Sequence, residues 1–419
     1  MNAPRTMAVG HHSGLGVLFA VIGSLVGPLM LFVSRAPTLI AIAGAVAGAI
    51  LLWRQKGRFA LPDRFLAGML AGLLVWSALS AVWAIDTGEA LSGTAKLAGN
   101  LMVGMLLIAI ARNLSPADAR LAGKALAIGC ILAIAILAGE MLTGAPLSAR
   151  IVQPQFDATT FAFQLDVFGA YWFNAAIGLL SLMVWPVLLN GRRLSPAILA
   201  LLPVTIVLLA LAIGYSTGIV AVLMGASAAF VVWRYAIWGR RLLAAFLAIG
   251  ILVAPSIPQT ILNPERLSAM DSVVPTYDLP RFYIWAFAAE RIAERPLLGW
   301  GMNASRSMPG GKERIIDTLR DKTFGERLPL HPHNVALQIW LELGLIGAAL
   351  AASLVAGLVL RATAQPMTPR VRATAAGLIV TGFVEFALSY SAWQSWWLAS
   401  VFLATAFLII AAGRDGSDG

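Results

Sequence analysis

The chain has 419 residues, 59% of them hydrophobic and only 12% charged, about half the charge of a soluble domain, which excludes a water-soluble globular fold. Its formal charge of +10 does not point to nucleic acid, because the Lys and Arg residues fall in clusters between apolar runs. One cysteine, Cys130, sits inside an apolar run, which excludes an intrachain disulfide and a cysteine-built zinc site.

Taken in chain order, runs long enough to cross about 30 Å of hydrocarbon predict helices at 14–33, 36–53, 65–84, 94–111, 121–142, 169–189, 197–213, 216–233, 242–258, 333–360, 373–391 and 394–412. Arg5, His11 and His12 precede a first run long enough to stay as a helix, unlike a signal peptide. The stretch 197–233 suits one long tilted helix, but Gly214-Tyr215-Ser216-Thr217-Gly218 in its middle supports a tight turn. The expected fold class is an all-α polytopic integral membrane protein of about twelve spans. It divides into 1–258 (the first nine spans), a large loop at 259–332, and 333–419 (the last three spans and a tail).

Basic clusters occupy every second connection: Arg54, Lys56, Arg58 and Arg64; Arg112, Arg120 and Lys124; Arg192 and Arg193; Arg234, Arg240 and Arg241; Arg361, Arg370 and Arg372. That is the positive-inside pattern, and it places both termini in the cytoplasm. The alternate short connections hold little beyond Arg35, Lys96 and Arg150. Two segments then lie on the far side, 143–168 and 259–332. Tyr390, Trp393, Trp396 and Trp397 mark the same side as an interfacial aromatic belt.

The window 259–332 is the polar exception, with ten of the thirty Lys/Arg and nine of the twenty Asp/Glu. Asp278 and Pro280 open a short helix over 280–295, and Pro296 ends it. Arg281, Trp285, Ala288, Ile292 and Arg295 share one face of it, which suits packing along a membrane surface. A guanidinium there offers phosphate oxygens a planar fork of donors that keeps its charge; the plainer alternatives for Arg281 are a headgroup anchor or a salt bridge. His331-Pro332-His333 lies where the chain re-enters the membrane. A neutral imidazole there suits a general base near pH 7, a metal ligand, or a capping or interfacial residue. No third ligand motif strengthens the metal reading.

Asn334, Gln338 and Glu342 follow as a polar stripe on the next helix, facing either a wet cavity or a partner helix. Glu385 lies in the eleventh span with no Lys or Arg within ten residues, so it needs a partner from another helix, a wet cavity or a proton. The turn Pro296-Leu-Leu-Gly-Trp-Gly301 uses glycines for unusual backbone angles. No Walker A loop, GxSxG or strand-borne Rossmann fingerprint is present, so nucleotide hydrolysis has no visible machinery.

At these residues the chain resembles the O-antigen ligase and polymerase superfamily. Three linked pieces carry the resemblance: Arg281-Phe-Tyr-Ile-Trp285, Pro296-Leu-Leu-Gly-Trp-Gly301, and His333-Asn334 with Leu337-Gln338 and Glu342-Leu-Gly344. The resemblance implies transfer of a glycan from an undecaprenyl-diphosphate-linked donor to the hydroxyl of a glycan or lipid-linked acceptor. It implies neither nucleotide nor metal cofactor and no nucleic-acid partner. It places a multi-pass protein in the lipid bilayer of the bacterial inner membrane, its site facing the periplasm. Arg281 then binds the donor diphosphate and His333 serves the acceptor hydroxyl, with His331, Asn334, Gln338, Trp285, Arg295 and Arg306 as substrate-binding candidates. Many relatives carry an Arg where this sequence has Thr217; Arg150, Arg295, Arg306 or Arg314 is the replacement to be identified. The competing expectations are a lipid-linked glycan flippase, which would place its polar residues at mid-membrane and show internal repeats, and a scaffold, which leaves the Arg/His arrangement unexplained.

Overall fold

The computed structural model describes residues 12–55, 59, 63–151, 173–191, 195–261, 279–317 and 322–415. Asp157, Asp166, Asp278 and most of the 143–168 segment lie outside these, as do Lys56, Arg58, Arg192 and Arg193. The helices are α1 (Gly14–Met30), α2 (Ala36–Arg54), α3 (Arg64–Leu79), α4 (Thr87–Ala111), α5 (Pro116–Thr143), α6 (Pro146–Ile151), α7 (Asn174–Asn190), α8 (Pro196–Ala212), α9 (Ser216–Arg234), α10 (Ala236–Val253), α11 (Ser256–Ile261), α12 (Leu279–Glu294), α13 (Val335–Ala362), α14 (Pro369–Leu388) and α15 (Ser395–Asp415). Among the described residues, nine helices are long and apolar enough to cross a membrane, and three more, from α1, α7 and α8, are apolar but shorter. All twelve coincide with expected spans. Gly214 at φ +72° separates α8 from α9, so the tight turn prevails over the single tilted helix.

Several contacts join connections that the basic clusters assign to one side. On one face, Ser13 Oγ donates to Asp118 Oδ2 at 2.8 Å, and Arg361 meets Asp63 at 2.8 Å. His12 lies 3.4 Å from Asp118 and is partly exposed. On the other face, the Ile85 N–H donates to the Trp300 carbonyl at 3.2 Å and Tyr390 reaches the Asn174 carbonyl at 3.3 Å. Lys96 lies on the third turn of α4 rather than in a connection. Asp86 caps that helix by accepting from the Glu89 N–H, and a polar first stretch hid the start at Thr87 from a reading based on apolar runs.

Small residues set the closest helix approaches. A side chain on Gly129 of α5 would meet the Gly23 carbonyl of α1 at 2.3 Å, the backbone proximity that drives association where no solvent is expelled. The main core joins α1, α5, α7 and α15 around Phe19, Leu126, Leu182 and Phe407.

The large window has a core of its own, continuous with α10 and α13: Ile284, Phe287, Ile292, Met308, Ile315 and Leu328 pack with Ile251, Leu337 and Ala348. Each fully buried side chain there is worth about 1.5–3 kcal/mol. This corrects two expectations. The window, expected as a loop with a short helix in an all-α chain, also carries strands: β1 (Arg314–Asp317) pairs antiparallel with β2 (Lys322–Glu326), Arg314 opposite Glu326 and Asp317 opposite Lys322. And α12 turns its apolar face onto protein, where Phe287 and Ile292 are 2% exposed, rather than onto a bilayer surface.

Candidate functional site

The site is built on a break in α13. Asn334 caps the helix by accepting from the Leu337 N–H at 3.1 Å. Nearly three turns later Gly344 adopts φ 64°, ψ −163°, outside the helical region. A break frees backbone groups, and an unpaired one is costly in a bilayer. Here they are taken up by the 296–301 turn. The Trp300 N–H donates to the Leu341 carbonyl at 2.9 Å, Gly301 to Glu342 at 2.8 Å, and Leu345 to Pro296 at 2.9 Å. Trp76 Nε1 donates to the Leu343 carbonyl at 2.9 Å. Gly299 and Gly344 both have positive φ, and their backbones approach so closely that a Cβ on Gly344 would stand 2.3 Å from the Leu297 carbonyl. The Pro296–Gly301 piece and the Glu342–Gly344 piece of the sequence are two halves of one joint.

Below the joint sits Glu342, 0% exposed. Its Oε1 accepts from Ser305 Oγ at 2.6 Å and Gln338 Nε2 at 3.1 Å; its Oε2 accepts from the Asn303 N–H at 2.7 Å and Trp393 Nε1 at 2.6 Å. Gln338 also donates to Ser391 Oγ at 3.0 Å and accepts from the Ala392 N–H at 2.9 Å. Gln338 and Glu342 are therefore committed to inter-segment bonding, and of the polar stripe only Asn334 is half-buried. Of the four aromatics, Trp397 is 0% exposed and packs on Tyr390 at 4.6 Å, while Tyr390, Trp393 and Trp396 are half-buried.

Above the joint lies the histidine corner. His333 has φ +52°, a left-handed conformation uncommon for a residue with a side chain and of the kind that clusters at functional sites. The corner is held from three directions. Its own N–H donates to His331 Nδ1 at 3.1 Å, its Nδ1 lies 3.0 Å from the Ser389 carbonyl, and Trp285 Nε1 donates to the Pro332 carbonyl at 2.9 Å. The two imidazole centroids are 4.2 Å apart. A carbonyl only accepts, so Nδ1 of His333 carries the proton and Nε2 of the neutral ring keeps its lone pair. Trp285 thus acts as a prop for the corner.

Both histidines are held neutral. Burial pushes His331 down to about 3, aided by His333 and the Arg306 guanidinium. Burial also lowers His333, with the Arg281 guanidinium adding to the shift and the Ser389 bond opposing it. Arg281, half-buried on the first turn of α12, and Arg306, on a one-turn 3-10 helix Ala304–Arg306, therefore both exert their charge on the histidine pair. The other candidates do not join them. Arg295 stacks at 4.1 Å on Trp300 at the far end of α12. Arg150 and Arg314 are exposed on α6 and β1. Thr217 is 3% exposed within the bundle.

A second polar cluster lies nearby. Glu385, 0% exposed, accepts a short hydrogen bond from the Tyr215 hydroxyl. The Tyr215 oxygen is 3.0 Å from the Tyr390 hydroxyl and 3.4 Å from Ser389 Oγ. Glu385 Oε1 and Asn174 Oδ1 have no hydrogen-bond partner among the described residues; Ser181, close to Glu385, gives its proton to the Gly178 carbonyl at 2.7 Å. The sequence pointed to Tyr215 as a turn residue and to Trp393 as part of an aromatic belt, and it singled out neither Ser389 nor Asn303. The only signal for Asn303 was an Asn just beyond a Gly-Trp-Gly turn, in a position suited to left-handed backbone.

Residues 202–352, from within α8 to halfway along α13, match the family model described as O-antigen ligase. The "Putative polysaccharide ligase" of Rickettsia bellii (strain RML369-C) is 33% identical over 243 residues, 56% of this chain and 56% of that protein. The protein of the same description from Rickettsia prowazekii (strain Madrid E) is 30% identical over 243 residues, 56% of this chain and 57% of its own. One from Rickettsia conorii (strain ATCC VR-613 / Malish 7) is 34% identical over 160 residues, 38% of each chain. The matches thus span about half the length of the first two relatives. The resemblance to the O-antigen ligase and polymerase superfamily is supported over this region, and the three sequence pieces that carried it, Arg281 to Gly344, lie inside it.

Proposed function

We propose that this O-antigen-ligase-like membrane protein is a glycosyltransferase. It moves a glycan from an undecaprenyl-diphosphate-linked donor to an acceptor hydroxyl at the periplasmic face of the bacterial inner membrane. The observation that carries the reading is the pairing of a neutral, strained His333 with the charges of Arg281 and Arg306 at one corner.

The chemistry asks for little more. The acceptor O–H gives its proton to His333 Nε2. The freed oxygen bonds to the donor's anomeric carbon as the bond from that carbon to the diphosphate oxygen breaks. The diphosphate leaves with the electron pair, and Arg281 and Arg306 neutralise the charge that develops on it. Arg306 takes the place of the arginine that relatives carry at the Thr217 position. His331 holds the His333 backbone and stays neutral, so it adds no charge that would disfavour protonation of His333. Asn334, next in the chain to His333 and half-buried, is left to the acceptor.

The test replaces His333 with Ala in the native host. The surface glycan is run on a gel beside the lipid-linked pool. Single repeat units on carrier or acceptor identify a polymerase. Long chains held on the carrier with a bare acceptor identify a ligase. An unchanged pattern at normal expression removes His333 from the mechanism.

A further inference from the structure

We infer that Asn303 is a positioning residue that aims Arg306 at the histidine corner, anchored by Glu89 of α4 and Glu342 of α13. The inference rests on the reading of Arg306 as part of the anion site. Asn303 is 8% exposed, with φ +63°. Its N–H donates to Glu342 Oε2 at 2.7 Å and its Nδ2 donates to Glu89 Oε2 at 2.6 Å. A carboxylate accepts, so Glu89 fixes which way the amide points. That leaves Oδ1 turned outward, where Arg306 Nε donates to it at 3.3 Å.

Arg306 is otherwise an exposed side chain with many rotamers, and holding one through Nε presents its two Nη groups together as a fork. Two carboxylates from helices far apart in sequence converge on one asparagine, and that asparagine holds the arginine whose charge reaches His331. Glu342 bonds no reacting group in this scheme; it acts through Asn303.

A double-mutant cycle on donor consumption in membranes tests the inference. Asn303→Gly keeps the left-handed backbone and removes the amide, and should raise the donor KM more than it lowers kcat, cutting kcat/KM about five- to ten-fold, on the scale of one lost side-chain hydrogen bond. In an Arg306→Ala background the same change should do nothing further, because its effect runs through Arg306. Additive losses would instead make Asn303 a fold residue and overturn the inference while leaving the Arg306 reading intact. Full activity in Arg306→Ala would remove both. If Asn303→Gly does not accumulate, Asn303→Asp decides. It keeps an acceptor for Arg306 but sets two carboxylates face to face, so it should lose activity. Adding Glu89→Gln should restore it, and failure to restore overturns the inference.

Discussion

Two glutamates, Glu342 and Glu385, are buried completely in late helices, and their surroundings differ. Glu342 receives four donors from three separate segments. Glu385 receives one, from Tyr215, and its other oxygen has no hydrogen-bond partner among the described residues. A saturated buried group locks a structure, because removing any partner exposes the full desolvation penalty. An unsaturated one locks little. The first therefore belongs to the architecture that holds the 296–306 turn against α13, and the second to the polar cluster beside the histidine corner.

Four changes test this difference, from the largest effect to the smallest. Gly344→Ala attacks the joint itself. It forces a side chain into positive φ and against the Leu297 carbonyl, and strain plus lost loop bonds should cost about 3 kcal/mol or more. Loss of monodisperse protein in detergent size-exclusion is the expected readout. Glu342→Gln replaces one accepting carboxylate oxygen with an NH2 donor, set against donors that then have no partner. It should cost about 1–3 kcal/mol and lower the thermal midpoint clearly. Glu385→Gln should shift that midpoint little, by under about 1 kcal/mol, since an amide oxygen still accepts from Tyr215. Equal losses in these two variants would erase the distinction drawn between the clusters.

The fourth change reads electrostatics. Burial and Arg281 lower the pKa of His333, so its ring stays neutral, and competent as a base, as the pH drops past the ordinary imidazole value of about 6.5. Transfer should fall only at lower pH, as the ring is protonated through its depressed pKa. Removing the nearby cation with Arg281→Gln should move the acid limb of the residual activity upward. An unmoved limb would separate Arg281 from His333.

Much of this arrangement was legible in the chain. The apolar runs gave the apolar helices, and Gly214-Tyr215-Ser216 gave the turn between α8 and α9. The order of Arg281, His331 and His333 pointed to the corner. What stayed hidden depends on contacts distant in sequence. Nothing around Glu342 announces donors at 303, 305 and 393, so Gln338 read equally well as lining a wet cavity. The break at Gly344 looked like an ordinary glycine in a long apolar run, because its cause is the loop that docks there. The hairpin, with strands of four and five residues, has too few alternating positions to register as strand. The bond that holds Arg306 depends on Asn303, and an Asn beyond a Gly-Trp-Gly turn is too weak a signal to single that residue out.

The central claim is that His333 takes the acceptor proton beside cations that hold the diphosphate. Its most direct test is release of the diphosphate carrier from a lipid-linked donor by purified protein, comparing the native chain with His333→Ala at matched thermal stability. The account predicts loss of about 10²–10⁴-fold in kcat, the range that a positioned general base contributes, with donor binding retained. Release at the native rate would contradict it.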